Sequence, residues 1–268
     1  VLLALINSVA SPLITFGLLF LIEKISDTTT DLQLKEYDNL NHSLLQKMSE
    51  IAPGTYQHTL AVAMLAERCA GAIDANPLLT KVGAYFHDIG KMAKAEYFTE
   101  NQVSIDNKHE QITPKKSVQI IKEHVTDGIV LANKYKLPPR IIDFIPMHHG
   151  TTLVKHFYAK AIEEKGENEE INEDDFRYPG PKPNSKETAI LMICDASEAI
   201  SRIADKSIEQ IEEIIEQNIQ DRILDGQFDE CNITLHELNK IKGVLARNLI
   251  GVSHQRTSYK EIPKDKTK

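Results

Sequence analysis

Seven side chains in this 268-residue chain have the chemistry of metal ligands: His58, the adjacent His87 and Asp88, His124, the adjacent His148 and His149, and Asp195. Imidazole nitrogens and carboxylates without a cysteine are the donor set of iron, manganese or zinc rather than of a thiolate site. A lone histidine in an apolar segment is ordinarily a hydrogen-bonded core or surface residue. Adjacent His-Asp and His-His in apolar surroundings are less ordinary, and Asp195 would be costly to bury without a partner. Seven ligands are too many for one ion and suit two that share a bridging carboxylate. Two cations about 3.5–4 Å apart can hold a hydroxide, polarise a phosphoryl group and stabilise both oxygens of an in-line displacement. The predicted chemistry is hydrolysis of a phosphoester. Lys91, in the stretch "AYFHDIGKMAK", lies near enough to His87 and Asp88 to meet an anion; the alternative is a solvated lysine.

Helices must carry these residues. "PGTYQHTLAVAMLAERCAGAI" starts at a Pro53-Gly54 break and repeats apolar residues at Leu60, Met64, Leu65 and Ala72, which puts His58 in a first helical turn. Asn76-Pro77 starts a second helix that ends at Gly90, so His87 and Asp88 fall near its C-terminus. Pro114 opens a long helix with Val118, Ile121, His124, Val125 and Gly128 on neighbouring turns. "PPRIIDFIPMHHGT" predicts a short helix ending at His148-His149, and "KETAILMICDASEAISR" a helix with Asp195 in an apolar surround. Ile208, Ile211, Ile215 and Ile219 form one amphipathic stripe, and Thr234 to Leu249 another. No long segment alternates with period two, so the chain is predicted all-α.

The rest of the chain bounds the function. Val1 to Ile22 carries no charge and, at about 1.5 Å per helical residue, is long enough to cross a bilayer. Residues 1–24 are therefore expected to be a transmembrane helix kinked at Pro12, followed by a juxtamembrane connector over 25–43. The chain lacks a starting methionine and a basic leader, so it is expected to begin inside a larger protein. Residues 44–204 form the expected catalytic domain, and 205–268 a helical extension packing on it, with a tail. With 41% hydrophobic residues a sizeable core is expected, and a net charge of -8 argues against nucleic acid polymers as partners. Cys69, Cys194 and Cys231 are dispersed and odd in number, as in a reduced protein without a disulfide framework. Eight acidic residues between Glu163 and Asp175 read as a solvated, mobile stretch, and "FRYPGPKP" as an irregular proline loop.

"AYFHDIGK" resembles the signature of the HD superfamily of metal-dependent phosphohydrolases, and the seven-ligand series resembles its dinuclear branch. The phrases "APGTYQHTLAVAMLAE", "VGAYFHDIGKM", "MHHGT" and "FRYPGPKP" closely resemble the seven-transmembrane HD proteins of the PgpH type, from about Thr29 to Arg202 and more weakly in the tail. The resemblance implies an HD-domain helical bundle behind the last transmembrane helix. It also implies hydrolysis of cyclic di-AMP to pApA by attack of a metal-bound hydroxide, with two iron or manganese ions. One metal would take His58, His87, Asp88 and Asp195, the other Asp88, His124, His148 and His149, with Asp88 bridging. Lys91 would help to hold the substrate phosphate in catalysis; Arg177 and Lys182 would bind substrate phosphate or anchor their loop. His42, His109, His156, His236 and His254 stay outside the site. Because cyclic dinucleotides are made in the cytoplasm, the domain is expected on the cytoplasmic face of a bacterial inner membrane.

Three other activities compete. Cyclic di-GMP phosphodiesterases of the HD-GYP type usually carry a glutamate after the histidine pair and a Gly-Tyr-Pro segment. Here Gly150 and Thr151 follow the pair, and Tyr178-Pro179-Gly180 is a different order in a different place. A non-catalytic nucleotide-sensing HD domain should lack ligands, and none is missing. A di-iron HD-type oxygenase would consume oxygen, which the membrane segment and "FRYPGPKP" disfavour.

Overall fold

The computed structural model describes residues 1–26, 29–102, 107–166, 170–201 and 207–253. Helix α1 (Leu2–Ser26) holds the uncharged run, with Pro12 inside it. Its large apolar side chains up to Leu18 are exposed; those of residues 19–28 lie outside the described residues. Among the described residues no helix is long and apolar enough to cross a membrane.

The expected connector contains a helix. In α2 (Asp31–Tyr37), Thr30 accepts the backbone N–H of Gln33 and Leu34 is 1% exposed, so this segment belongs to the core. Helix α3 (Ser43–Ile51) is capped by the His42 ring, which accounts for that histidine without the site. Helix α4 (Pro53–Ala72) lacks a side-chain cap of its own; Asn101 Oδ1 accepts Thr55 N at 3.0 Å instead. Helix α5 (Pro77–Phe86) has the expected Asn76 cap and runs into a 3-10 segment, Ile89–Tyr97. Helix α6 (Pro114–Lys134) starts at the Thr113-Pro114 signal.

The expected single helix before His148 is two four-residue turns, α7 (Pro139–Ile142) and α8 (Phe144–Met147). Helices α9 (Lys155–Glu164), α10 (Lys186–Ser201), α11 (Ile208–Leu224) and α12 (Leu235–Ser253) complete the chain. Apart from one isolated antiparallel bridge, Leu153 with Arg177, the described residues contain no β-pairing.

Helix α4 packs on α5, α10 and α12, and α6 packs on the 3-10 segment. One hydrophobic core runs from Leu34 through to Leu249, continuous across 43/44 and 204/205. From α11 it takes Ile211, Ile215 and Ile219, while the Ile208 side chain lies outside the described residues. Each such burial contributes about 1.5–3 kcal/mol. The acidic stretch is partly fixed rather than wholly solvated: Glu173 pairs with Arg177 at 2.7 Å and Asp175 with Lys115 at 2.7 Å. Cys69 and Cys194 are buried free thiols in the core, and Cys231 is also free.

The start of α12 carries a pH-dependent contribution. Glu237 Oε2 accepts Thr234 N at 2.9 Å, Thr234 Oγ1 accepts Glu237 N at 3.2 Å, and Lys186 Nζ lies 2.5 Å from Glu237 Oε1. The Lys186 bond, followed by the Thr234 amide, lowers the Glu237 pKa from 4.5 to about 2. A lowered carboxyl stabilises the fold fully above its unfolded value, and that stability is lost as the pH falls toward the folded value. Glu237→Gln is therefore expected to cost about 1 kcal/mol at neutral pH. Melting temperatures of the two proteins should converge as the pH falls below 4.5 toward 2. A gap that stays constant with pH would contradict this.

Candidate metal centre

Five helices or their ends bring the seven residues together. His58 comes from α4, one turn deeper than expected because the helix begins at Pro53. His87 caps α5, Asp88 precedes the 3-10 segment, His124 is on α6, His148 and His149 follow α8, and Asp195 is on α10. His87, Asp88, His124 and His148 are each at most 2% exposed.

Backbone carbonyls set the tautomers. His87 Nδ1–H donates to Ala84 O at 2.6 Å, His124 Nδ1–H to Ile121 O at 2.5 Å, and His148 Nδ1–H to Ile145 O at 2.6 Å. Each ring is thereby left with a lone pair on Nε2, aimed at the interior. His124 Nε2 and His148 Nε2 then face each other at 3.4 Å with no proton between them. Two opposed lone pairs repel unless a cation lies between or beside them. His87 Nε2 is likewise buried without a hydrogen-bond partner.

Asp88 stands at the centre. Its Oδ1 lies 3.5 Å from His124 Nε2 and 3.6 Å from His148 Nε2, while Oδ2 lies 3.3 Å from His87 Nε2 and 3.9 Å from His58 Nε2. Lys91 Nζ forms an ion pair with Oδ2 at 2.7 Å, and the Asp88 oxygens have no further hydrogen-bond partner. Two groups with ligand atoms within 4.8 Å of one another could each hold a metal ion: His58, His87, Asp88 and Asp195, and His124, His148 and His149. Orphaned acceptors, lone pairs turned inward and an imidazole–carboxylate donor set all fit divalent cations.

Burial dominates the second group and keeps it neutral: the His148 pKa falls to about 3, and those of His124 and His149 also fall. Burial also works to lower His58 and His87, but the carboxylates overcome it, Asp195 and Glu198 raising His58 to about 8 and Asp88 and Asp195 raising His87 to about 10. A cation at that position competes with those protons for the same nitrogens.

Three contributors were not foreseen. Glu198 contacts His58 Nδ1, orienting Nε2 toward Asp195 Oδ1 at 2.8 Å. It lies on α10 beside Asp195, and its spacing from Asp195, three residues along the helix, could have revealed it. The Tyr178 ring stacks on His149, with centroids 4.1 Å apart and planes at 20°. Glu100 Oε1 holds Lys91 Nζ at 2.9 Å and accepts from Thr55 Oγ1 at 3.1 Å. Burial favours neutral Glu100, yet Lys91 wins and holds its carboxyl below the usual range.

Arg177 and Lys182 have partners within the protein. The Arg177 guanidinium binds Asp225 at 3.0 Å and the Thr151 carbonyl at 2.9 Å, and Lys182 lies 3.5 Å from Asp229. These contacts tie the proline loop to the Thr151 turn and to the segment after α11, as loop anchoring would. His109 donates from Nε2 to Tyr97 O at 3.0 Å, away from the cluster, and His254 lies outside the described residues.

This helical bundle with its His/Asp cluster belongs to the HD domain family, whose profile matches residues 55–200. The chain is 42% identical over 264 residues to the cyclic-di-AMP phosphodiesterase PgpH of Bacillus subtilis, covering 98% of this chain and 37% of that protein. It is 46% identical over 251 residues to PgpH of Listeria monocytogenes, covering 93% and 34%. The chain thus spans about a third of the length of these curated relatives. The crystal structure of the L. monocytogenes PgpH HD domain in complex with cyclic-di-AMP superposes with a TM-score of 0.76 at 47% identity, covering 80% of this chain and 99% of that one.

Proposed function

We propose that this chain is the catalytic part of a dinuclear metal-dependent phosphodiesterase that hydrolyses cyclic di-AMP to pApA. The observation that carries this reading is Asp88, with one carboxylate oxygen turned to each of the two ligand groups. His58, His87, Asp88 and Asp195 would hold one cation, and Asp88, His124, His148 and His149 the other. Two divalent cations bound there would supply Lewis-acid activation of water and of the phosphoryl oxygens. The protein's own residues do the rest. The carbonyls behind His87, His124 and His148 keep their Nε2 lone pairs inward, Glu198 does the same for His58, and Tyr178 fixes the His149 plane. Lys91 places a permanent positive charge beside Asp88, where it offsets charge developing on the phosphate. Iron and manganese both suit this donor set.

Incubating the manganese-loaded protein with cyclic di-AMP and, separately, with cyclic di-GMP tests the reading, and pApA is the expected product. A protein holding two metals that releases none would overturn it. Preference for cyclic di-GMP would move the assignment to the HD-GYP reading.

Lys91 supports a second test. Lys91→Ala is expected to lower turnover by about 10²–10³-fold with metal content unchanged. It also leaves half-buried Glu100 without its cation, at a cost of about 1–3 kcal/mol. Adding Glu100→Gln should recover the stability but not the turnover. Loss of metal from the single variant would mean that Lys91 serves the ligand set instead.

The same reading makes α1 the last membrane span, supported by the uncharged run from Val1 to Ile22 and the exposed apolar side chains up to Leu18. Residues 44–204 would then form the HD unit, with 205–268 its extension, facing the cytoplasm from a bacterial inner membrane. Partition of the full chain into membranes, resisting carbonate extraction, tests the anchor.

A further inference from the structure

Beside the ligand cluster, a cleft of about 690 Å³ opens between α10, α11 and the turn after His149. Thr152, Lys155, Arg177, Ala196, Asn218 and Arg222 are among the residues that line it. Its size suits a nucleotide fragment.

The cleft's other cations are matched within the protein. Lys155 pairs with Asp221, and Arg177 with Asp225 and Glu173. Arg222 has no direct ion pair among the described residues. Its Nη1 donates to Asn218 O at 2.9 Å and to the Asn218 side chain, its Nε is buried without a partner, and no carboxylate among the described residues forms an ion pair with it. A partly buried guanidinium with no contacting carboxylate is unusual, because desolvating a charge without a direct counter-ion is costly. Burial pulls the Arg222 pKa below its ordinary value, although the nearby charges of Asp195, Asp221 and Asp225 oppose it without contacting the guanidinium.

The arginine is also held in place. Asn218 Nδ2 donates to Ile193 O at 3.1 Å and to Ser197 Oγ at 2.8 Å, which fixes Asn218 and through it Arg222 against α10. Ala196 follows Asp195, so the cleft and the ligand cluster occupy neighbouring faces of one helix. Thr152, also in the cleft, donates from its backbone N–H to His149 O at 3.1 Å.

We propose that Arg222 is the cation of a phosphate subsite in this cleft and binds the phosphodiester of a cyclic dinucleotide that is not being cleaved. The inference rests on the phosphodiesterase reading. A cyclic dinucleotide carries two phosphodiesters on opposite sides of one ring, so a site that cleaves one must accommodate the other. A planar guanidinium with unused donors matches a phosphate in geometry and charge. The subsite also gives α11, outside the matched family segment, a part in substrate recognition.

The test compares the full chain with its Arg222→Gln and Arg222→Lys variants. Dissociation constants for cyclic di-AMP are measured by calorimetry on metal-free protein, and KM on manganese-loaded protein. Arg222→Gln is expected to weaken binding and raise KM about tenfold or more, with melting temperature and metal stoichiometry as in the parent, and Arg222→Lys to recover part of the affinity. Where metal-free binding is too weak to measure, KM alone decides. Unchanged affinity and KM in Arg222→Gln would overturn the proposal, and so would a parallel loss of metal or of melting temperature, which would mark a structural role. If cyclic di-AMP binds in an Arg222-dependent way but no pApA forms, the subsite stands and the hydrolytic reading falls. If pApA forms with an unaltered KM in the variant, the reverse holds.

Discussion

Asp88→Ala is expected to lower cyclic di-AMP hydrolysis by about 10³-fold or more, equivalent to about 4 kcal/mol in the barrier. In the proposed centre Asp88 is the ligand that both metals would share. The Asp88 oxygens reach His124 and His148 on one side and His87 on the other at 3.3–3.6 Å, so on the bridging reading one truncation would take a carboxylate from both metals. Elemental analysis should show the loss directly, with fewer than two metals per chain. Truncating His149 should deplete the second group first, because His149 belongs to that group alone. Asp88→Asn separates charge from shape: the isostere can still fill the position, but Lys91 loses the anion 2.7 Å away and the histidines lose their common counter-charge. An Asp88→Ala protein that kept two metals and full turnover would refute the bridging role.

Gly90→Ala is expected to destabilise the fold by about 3 kcal/mol or more and to deplete metal as well. A Cβ on Gly90 would lie 1.8 Å from the His124 carbonyl oxygen and 2.5 Å from Gly128 N, and both contacts are backbone atoms that cannot rotate aside. The 3-10 segment and α6 would have to separate. Asp88 sits at the start of that segment and His124 on that helix, so a separation that relieves the clash also pulls one ligand group from the other. Urea denaturation with metal analysis at each step would show both effects. Gly71→Ala is the control: its Cβ would meet only Pro77 Cγ at 3.9 Å, and alanine inside α4 should stabilise by about 0.5–1 kcal/mol. Equal behaviour of the two variants would contradict the close-approach argument.

Much of the centre was legible before any coordinates because it is written in local signals. Pro and Asn at helix starts placed α4, α5 and α6 within a turn, and the ligand types announced hard or borderline metals. Other features left weaker traces. The helix α2 was hidden in a polar run because a single apolar residue, Leu34, anchors it. The split of α7 from α8 also left no period to read, since each is one turn long. The choice between phosphate ligand and loop anchor for Arg177 had no local signal, because its partner Asp225 is distant in sequence.

What this sequence determined by itself is the inventory: helical segments, seven candidate ligands with no thiolate, and a cation beside the His-Asp pair. Even the ring orientations of His87 and His124 follow locally, since each donates to the carbonyl three residues back, at Ala84 and Ile121. Only the tertiary structure decided that the two Asp88 oxygens point to different groups, that Glu198 and Tyr178 brace His58 and His149, and that Arg222 Nε is buried without a hydrogen-bond partner. The physical reason is range. A helical turn is set by neighbours three or four positions away, whereas the charge balance of a buried group depends on every chain segment that the core brings around it.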